Sequence, residues 1–161
     1  MSVPNGFSYV KGPVKYVLSA LSSVATFKER CPVTIDDDCS VIEAASDSTA
    51  IFGISAHAAA DSLPAGYCLI EVPTADTIYA GRIGTGAATS ETSIGRGCDI
   101  EKSANHFILN EDSQGSTMVV IVPRDDGSTL RSADSSVYFS FLGNRLGVMG
   151  SNSSIVVFAE L

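Results

Sequence analysis

Short runs of β-branched and aromatic residues, broken by clusters of Asp, Ser, Gly and Pro, dominate the chain from Cys31 onward. Cys31-Pro32-Val33-Thr34-Ile35 and Ser40-Val41-Ile42-Glu43-Ala44-Ala45 flank Asp36-Asp37-Asp38. Asp side chains satisfy backbone N–H groups in turns, so this stretch predicts a hairpin. Ala50–Ala56 follows the turn Ser46-Asp47-Ser48, Tyr67–Val72 follows the loop Asp61–Gly66, and Thr77–Ile83 follows Pro73. His106–Leu109, Met118–Val122, Ser136–Phe141 and Ser154–Ala159 continue the series. Met118–Val122 is apolar on both faces, which suits the middle of a sheet. About nine or ten strands at roughly 8–15-residue spacing predict an all-β fold, a small β-sandwich or barrel. The predicted core includes Val33, Ile42, Ile54, Leu69, Val72, Ile78, Val120, Phe139, Val157 and Phe158.

The first residues read differently. Pro4, Gly6, Gly12 and Pro13 punctuate a stretch that carries Phe7, Tyr9, Val10, Val14 and Tyr16. Such punctuation disfavours a helix or a central strand. It predicts an extended N-terminal arm over residues 1–27, ahead of a β-domain over residues 28–161. Tyr16–Ala25 places Val17, Leu21 and Val24 on one helical face, yet its serines and β-branched residues suit an extended path equally well. Gly84–Gly97, rich in Gly, Ser and Thr, reads as a long loop.

Composition narrows the function classes. The 161 residues are 45% hydrophobic and 17% charged, enough for one domain with a buried core. The net charge is −8 and no stretch gathers the basic residues into a stripe, so no nucleic-acid partner is expected. No apolar run approaches a membrane span, so no membrane partner is expected either. The opening Met1–Gly6 has neither a basic nor an apolar signal region. Cys31, Cys39, Cys68 and Cys98 form no CxxC pair, and free thiols in a reducing compartment are expected.

The chain offers little that could carry chemistry. Gly84-x-Gly86 and Gly95-x-Gly97 lack the Lys-Ser/Thr and the helix that a phosphate loop needs. Asp36–Asp38 lacks the spaced ligands of a calcium loop and reads as a solvated turn. His57 and His106 sit at strand ends with no nucleophile motif nearby. Glu71 with Asp76, or Glu91 with Asp99, are acidic pairs of the kind that arises by chance among 18 acids. No catalytic residue, cofactor or metal is expected.

Two stretches resemble a known family. Pro4-Asn5-Gly6-Phe7-Ser8-Tyr9-Val10, followed by Tyr16-Val17-Leu18-Ser19 and Ala25-Thr26-Phe27, resembles the arm of tailed-bacteriophage head decoration (cement) proteins. Ile51-Phe52-Gly53-Ile54-Ser55, Ala65–Pro73, Ile78-Tyr79-Ala80-Gly81 and Ser93–Ile100 continue the likeness, which covers about residues 4–110. The resemblance implies a structural virion protein on the outer capsid surface, assembled in the host bacterial cytoplasm. It would clamp neighbouring subunits of the major capsid protein, as a homotrimer, with no enzymatic activity. Phe7, Tyr9, Val10, Val14 and Tyr16 are the expected capsid-binding residues. Deleting residues 2–14 is then expected to leave the β-domain folded and to weaken capsid binding. The alternative is a small-ligand or glycan-binding β-barrel module.

Overall fold

Alternation of large apolar and smaller or polar residues in the second half of the chain closes a barrel. A computed structural model describes residues 6–36, 38–45, 50–61, 66–84, 94–95, 97–103, 106–110, 118–124, 136–149 and 155–157. The chain is all-β, with a closed five-stranded barrel and a further sheet. Its strands are β1 (Ser8–Lys11), β2 (Val14–Ala20), β3 (Pro32–Ile35), β4 (Val41–Glu43), β5 (Gly53–Ser55), β6 (Tyr67–Pro73) and β7 (Ile78–Ile83). They continue with β8 (Gly97–Ser103), β9 (His106–Asn110), β10 (Val119–Val122), β11 (Ser136–Phe141), β12 (Gly147–Met149) and β13 (Ile155–Val157).

The barrel runs β7-β11-β10-β8-β9 and returns from β9 to β7. Every contact is antiparallel except the closing one, where Arg82 and Ile83 of β7 pair in parallel with Ile108 and Leu109 of β9. One face of each strand fills the interior: Tyr79 and Ile83, Cys98 and Ile100, Phe107 and Leu109, Val119 and Ile121, then Val137, Phe139 and Phe141 are all buried. This period of two is what a small closed barrel requires. β10 lies between β11 and β8, as its two-sided apolarity predicts.

β1 and β9 share one edge of β7, with β1 covering Ile78–Ala80. The second sheet has the order β2-β6-β5-β3-β4. A bridge between Leu21 and Val41, with Ser22 N–H donating to Val41 O at 3.0 Å, draws the ends of this sheet together. The two sheets are joined by two corners. The chain passes from β1 to β2 at Gly12-Pro13 and from β6 to β7 at Thr74–Thr77. Gly12 has φ +105, and a Cβ there would lie 2.5 Å from Asp76 O, so only glycine fits. Thr77 stitches the corners by donating its hydroxyl proton to Pro13 O.

The segment expected as an arm therefore belongs to the body from Gly6 onward. It is extended, but β1 and β2 are edge strands paired along β7 and β6. Prolines and glycines that disfavour central strands are compatible with edges and corners. The helical alternative for Tyr16–Ala25 gives way to β2, because seven residues of β6 offer an open edge. Of the predicted core, Val33, Ile54, Val72 and Phe139 are buried, while Ile42, Leu69, Ile78 and Val120 are half-exposed on outer faces. The Val157 side chain and Phe158 lie outside the described residues. β8, read as part of a loop and turn, is a full strand through its buried Cys98 and Ile100.

Candidate interaction surface

Phe7 is the first correction among the expected partner-binding residues. It is fully buried, entering the barrel above Gly81, where a Cβ would come within 2.9 Å of the Phe7 ring. Its ring lies edge-on to Phe139 at 4.9 Å, Phe141 at 6.4 Å and Phe107 at 6.5 Å. Edge-to-face aromatic packing of this kind adds to the simple burial gain. Phe7 is a core residue, not a free anchor, because the aromatic interior of the barrel lies within reach of β1.

The other four stay at the surface in different degrees. Tyr9 is 44% exposed, with its hydroxyl donating to Gly12 O at 2.8 Å and its ring edge-on to Tyr79. Val10 and Val14 are half-buried. Tyr16 is 58% exposed and donates to Glu71 Oε2 at 3.2 Å. Register extends this strip beyond what the sequence suggested. Leu18 pairs directly with Leu69 and Ala20 with Tyr67, so all four share the face of Tyr16. Leu18 is 51% and Tyr67 44% exposed. Val17, on the opposite face of β2, is also exposed. These residues were not legible as a patch, because only the β2–β6 register sets Tyr67 beside Ala20.

One polar cluster underlies the strip. Glu71, almost fully buried in β6, accepts from Arg30 Nη1 at 3.2 Å and Nη2 at 3.1 Å in a bidentate pair. It also accepts from Tyr79 Oη at 2.7 Å and from Tyr16. Burial pushes the Glu71 carboxyl up. Hydrogen bonds and charge from Arg30, with Tyr79 and Tyr16, outweigh that and hold it below its usual 4.5. Burial and the facing carboxylate push the Tyr79 phenol far above its ordinary range. Arg30 also donates from Nε to Phe7 O at 2.9 Å, while its own carbonyl accepts the Phe7 N–H at 2.8 Å. Arg30 holds φ +63, a strained value for a non-glycine residue, and the ring of partners on it fixes that conformation.

The residues considered for chemistry are spread apart. Asp36 Oδ1 accepts from the N–H groups of Asp38 and Ser40 and from the Ser40 hydroxyl, so this oxygen closes the β3–β4 hairpin. Asp37 lies outside the described residues. Glu71 of the first acidic pair is held by Arg30, and Asp76 is exposed at the corner. Asp99 is buried in β8, while Glu91 lies outside the described residues. His57 is half-buried in the bend after β5, and the His106 side chain lies outside the described residues. Gly84 closes β7, Gly95 sits in a turn at φ +84, and Gly86 lies outside the described residues. Cys31, Cys68 and Cys98 are buried free thiols, and Cys39 is exposed. Among the described residues, no three of His, Cys, Asp and Glu gather as a metal-binding group.

What the arrangement offers is a rigid, partly aromatic strip along β1 and β2, held from below by the Arg30–Glu71 pair. No protein-family model matches the chain, and no curated protein matches it.

Proposed function

We propose that the protein is a structural virion component that binds the outside of a tailed-phage capsid and stabilises it by clamping neighbouring major capsid subunits. The observation that carries this reading is the exposed strip Tyr9, Tyr16, Leu18 and Tyr67 on a body whose interior is already filled. Clustered exposed aromatic and aliphatic side chains are characteristic of protein–protein contact surfaces. The five-aromatic filling of the barrel by Phe7, Tyr79, Phe107, Phe139 and Phe141 supports a binding surface on the outside rather than a ligand held within. The resemblance of Asn5-Gly6-Phe7 and the segments after it to decoration proteins supplies the capsid as partner and the trimer as working assembly. In this reading the protein performs no catalytic step.

The test is co-sedimentation with mature, empty phage heads. Parent protein is expected in the head fraction, and a Leu18→Asp/Tyr67→Asp variant with an unchanged melt, which keeps the Tyr16 bond to Glu71, is expected in the supernatant. Light scattering on protein released from heads is expected to give three times the chain mass. Failure of the parent protein to sediment with heads would overturn the reading.

A further inference from the structure

Gly6–Lys11 sits in the body as a bound segment would. The Phe7 ring packs edge-on to Phe107, Phe139 and Phe141, while its backbone makes two hydrogen bonds with Arg30. β1 then pairs with the edge of β7, its register slipping between Tyr9 and Lys11. These partners are remote in sequence. Only the link at Gly12-Pro13 decides which copy of the chain supplies the segment.

That link can close or open. The closed corner needs Gly12 at φ +105, where a Cβ would stand 2.5 Å from Asp76 O and 2.8 Å from Thr77 Cα. Pro13 disfavours a helical bend in the residue before it and favours an extended course. With the corner opened, β1 and β2 run on as one extended strand. β2 stays behind, because its register with β6 is unbroken over seven residues while that of β1 slips. Opening gives up the Tyr9 hydroxyl bond to Gly12 O and the Thr77 bond to Pro13 O. The β7 pairing, the Phe7 packing and both Arg30 bonds are remade in a second copy, so exchange costs little. Short hinges invite such exchange.

We propose that Gly6–Lys11 is exchanged between copies of the chain, so that Phe7 and β1 of one copy complete the barrel of the next. The occupant is the one the slot is seen to hold: Gly81 leaves room for the Phe7 ring, and every second copy brings the same segment. A short tether presents a chain's own segment at about millimolar effective concentration, so self-closure wins in dilute solution and exchange competes when copies are gathered. Passed around a closed ring, the exchange holds the copies together. The count of three copies in that ring rests on the capsid reading, while the exchange itself does not.

Ser8→Cys and Ala80→Cys are made in separate full-length chains, each with Cys39→Ser to remove the exposed native thiol. Ser8 and Ala80 are direct partners in the β1–β7 register, and Cβ atoms of such partners lie about 4.5–5.5 Å apart, close to disulfide reach. The two chains are unfolded, mixed, refolded together at about millimolar concentration and oxidised. A product of twice the chain mass on a non-reducing gel is expected from the mixture and not from either chain alone. Gly12→Ala in both chains forbids the closed corner and leaves the extended course open. It is expected to carry the same product to concentrations at least about tenfold lower. Light scattering on the exchanged protein is expected to give three times the chain mass.

No product from the mixture, or equal product from either chain alone, would overturn the exchange. So would a Gly12→Ala chain that is unfolded or no richer in product, since the open corner asks nothing special of residue 12. Twice the chain mass in place of three would keep the exchange and overturn the ring of three. Head sedimentation separates the two readings. Heads bound without the mixed product would remove the exchange and keep the capsid. The mixed product without head binding would do the reverse.

Discussion

A Cβ on Gly6 would stand 1.9 Å from the carbonyl oxygen of Arg30, the oxygen that accepts the N–H of Phe7. The backbone at residue 6 thus passes so close to residue 30 that only glycine permits it. That approach is what delivers the Phe7 ring to the barrel interior, and it makes Gly6-Phe7 a folding element.

Gly6→Ala is expected to withdraw the Phe7 ring and to destabilise the fold about as much as Phe7→Ala, roughly 3–5 kcal/mol. Deleting residues 2–14 removes Phe7 and β1 together, so a collapsed melt is expected in place of the folded truncation that the sequence suggested. Urea unfolding of the three variants measures this. A truncated protein with the parent midpoint would show that the aromatic cluster holds without Phe7.

Arg30→Met leaves the buried Glu71 carboxylate without its cation. A broken buried pair costs about 3–5 kcal/mol, since the remaining charge keeps its desolvation penalty. Arg30→Met/Glu71→Gln is expected to recover a substantial part, because the amide needs no counter-charge. A double-mutant cycle on urea midpoints reads the coupling directly. Additive losses would mean that the two side chains act independently.

Stability is expected to form a plateau with an acid and an alkaline limb. The Glu71 carboxyl is held below its usual 4.5 in the folded state, so its contribution is present above that value and is lost as pH falls through the folded value. The Cys31 thiol is pushed up by burial from 9.0 to about 11, and the Tyr79 phenol is raised from 10.0. Their contributions are complete below pH 9.0 and 10.0 respectively and decline as pH rises beyond, where the unfolded groups ionise first. Glu71→Gln is expected to remove the Glu71 share of the acid limb, leaving that of Asp36, whose carboxyl is also held down by hydrogen bonds from Asp38 and Ser40, and to spare the Cys31 share of the alkaline one. Urea midpoints across the pH range check both limbs.

A thiol reagent is expected to modify one cysteine quickly in the native protein, Cys39, and all four after unfolding. Cys39 sits at φ +63 in the β3–β4 turn, a left-handed backbone conformation that costs any residue with a Cβ. Cys39→Gly relieves that strain and is expected to abolish the fast reaction while raising stability by about 1 kcal/mol. Fast modification of Cys31, Cys68 or Cys98 would indicate that the barrel or the second sheet opens readily.

The strands from β3 to β7, and β9 to β11, were legible in the chain because period-two alternation and turn residues such as Asp36 and Pro73 act within a few residues. So were the all-β class and the central place of Met118–Val122. Tertiary structure alone decided the fate of residues 6–20, since the same Gly and Pro punctuation suits a free arm or an edge strand. It decided that Phe7 goes inward, because the cavity it fills is made by Gly81, Phe107, Phe139 and Phe141, which no local pattern links to it. It paired Arg30 with Glu71 across 41 positions of sequence and set Tyr67 beside Ala20. Local alternation tells a strand which face is apolar. Which neighbour covers that face, and which edge stays open, depends on closure energies summed over strands far apart in the chain.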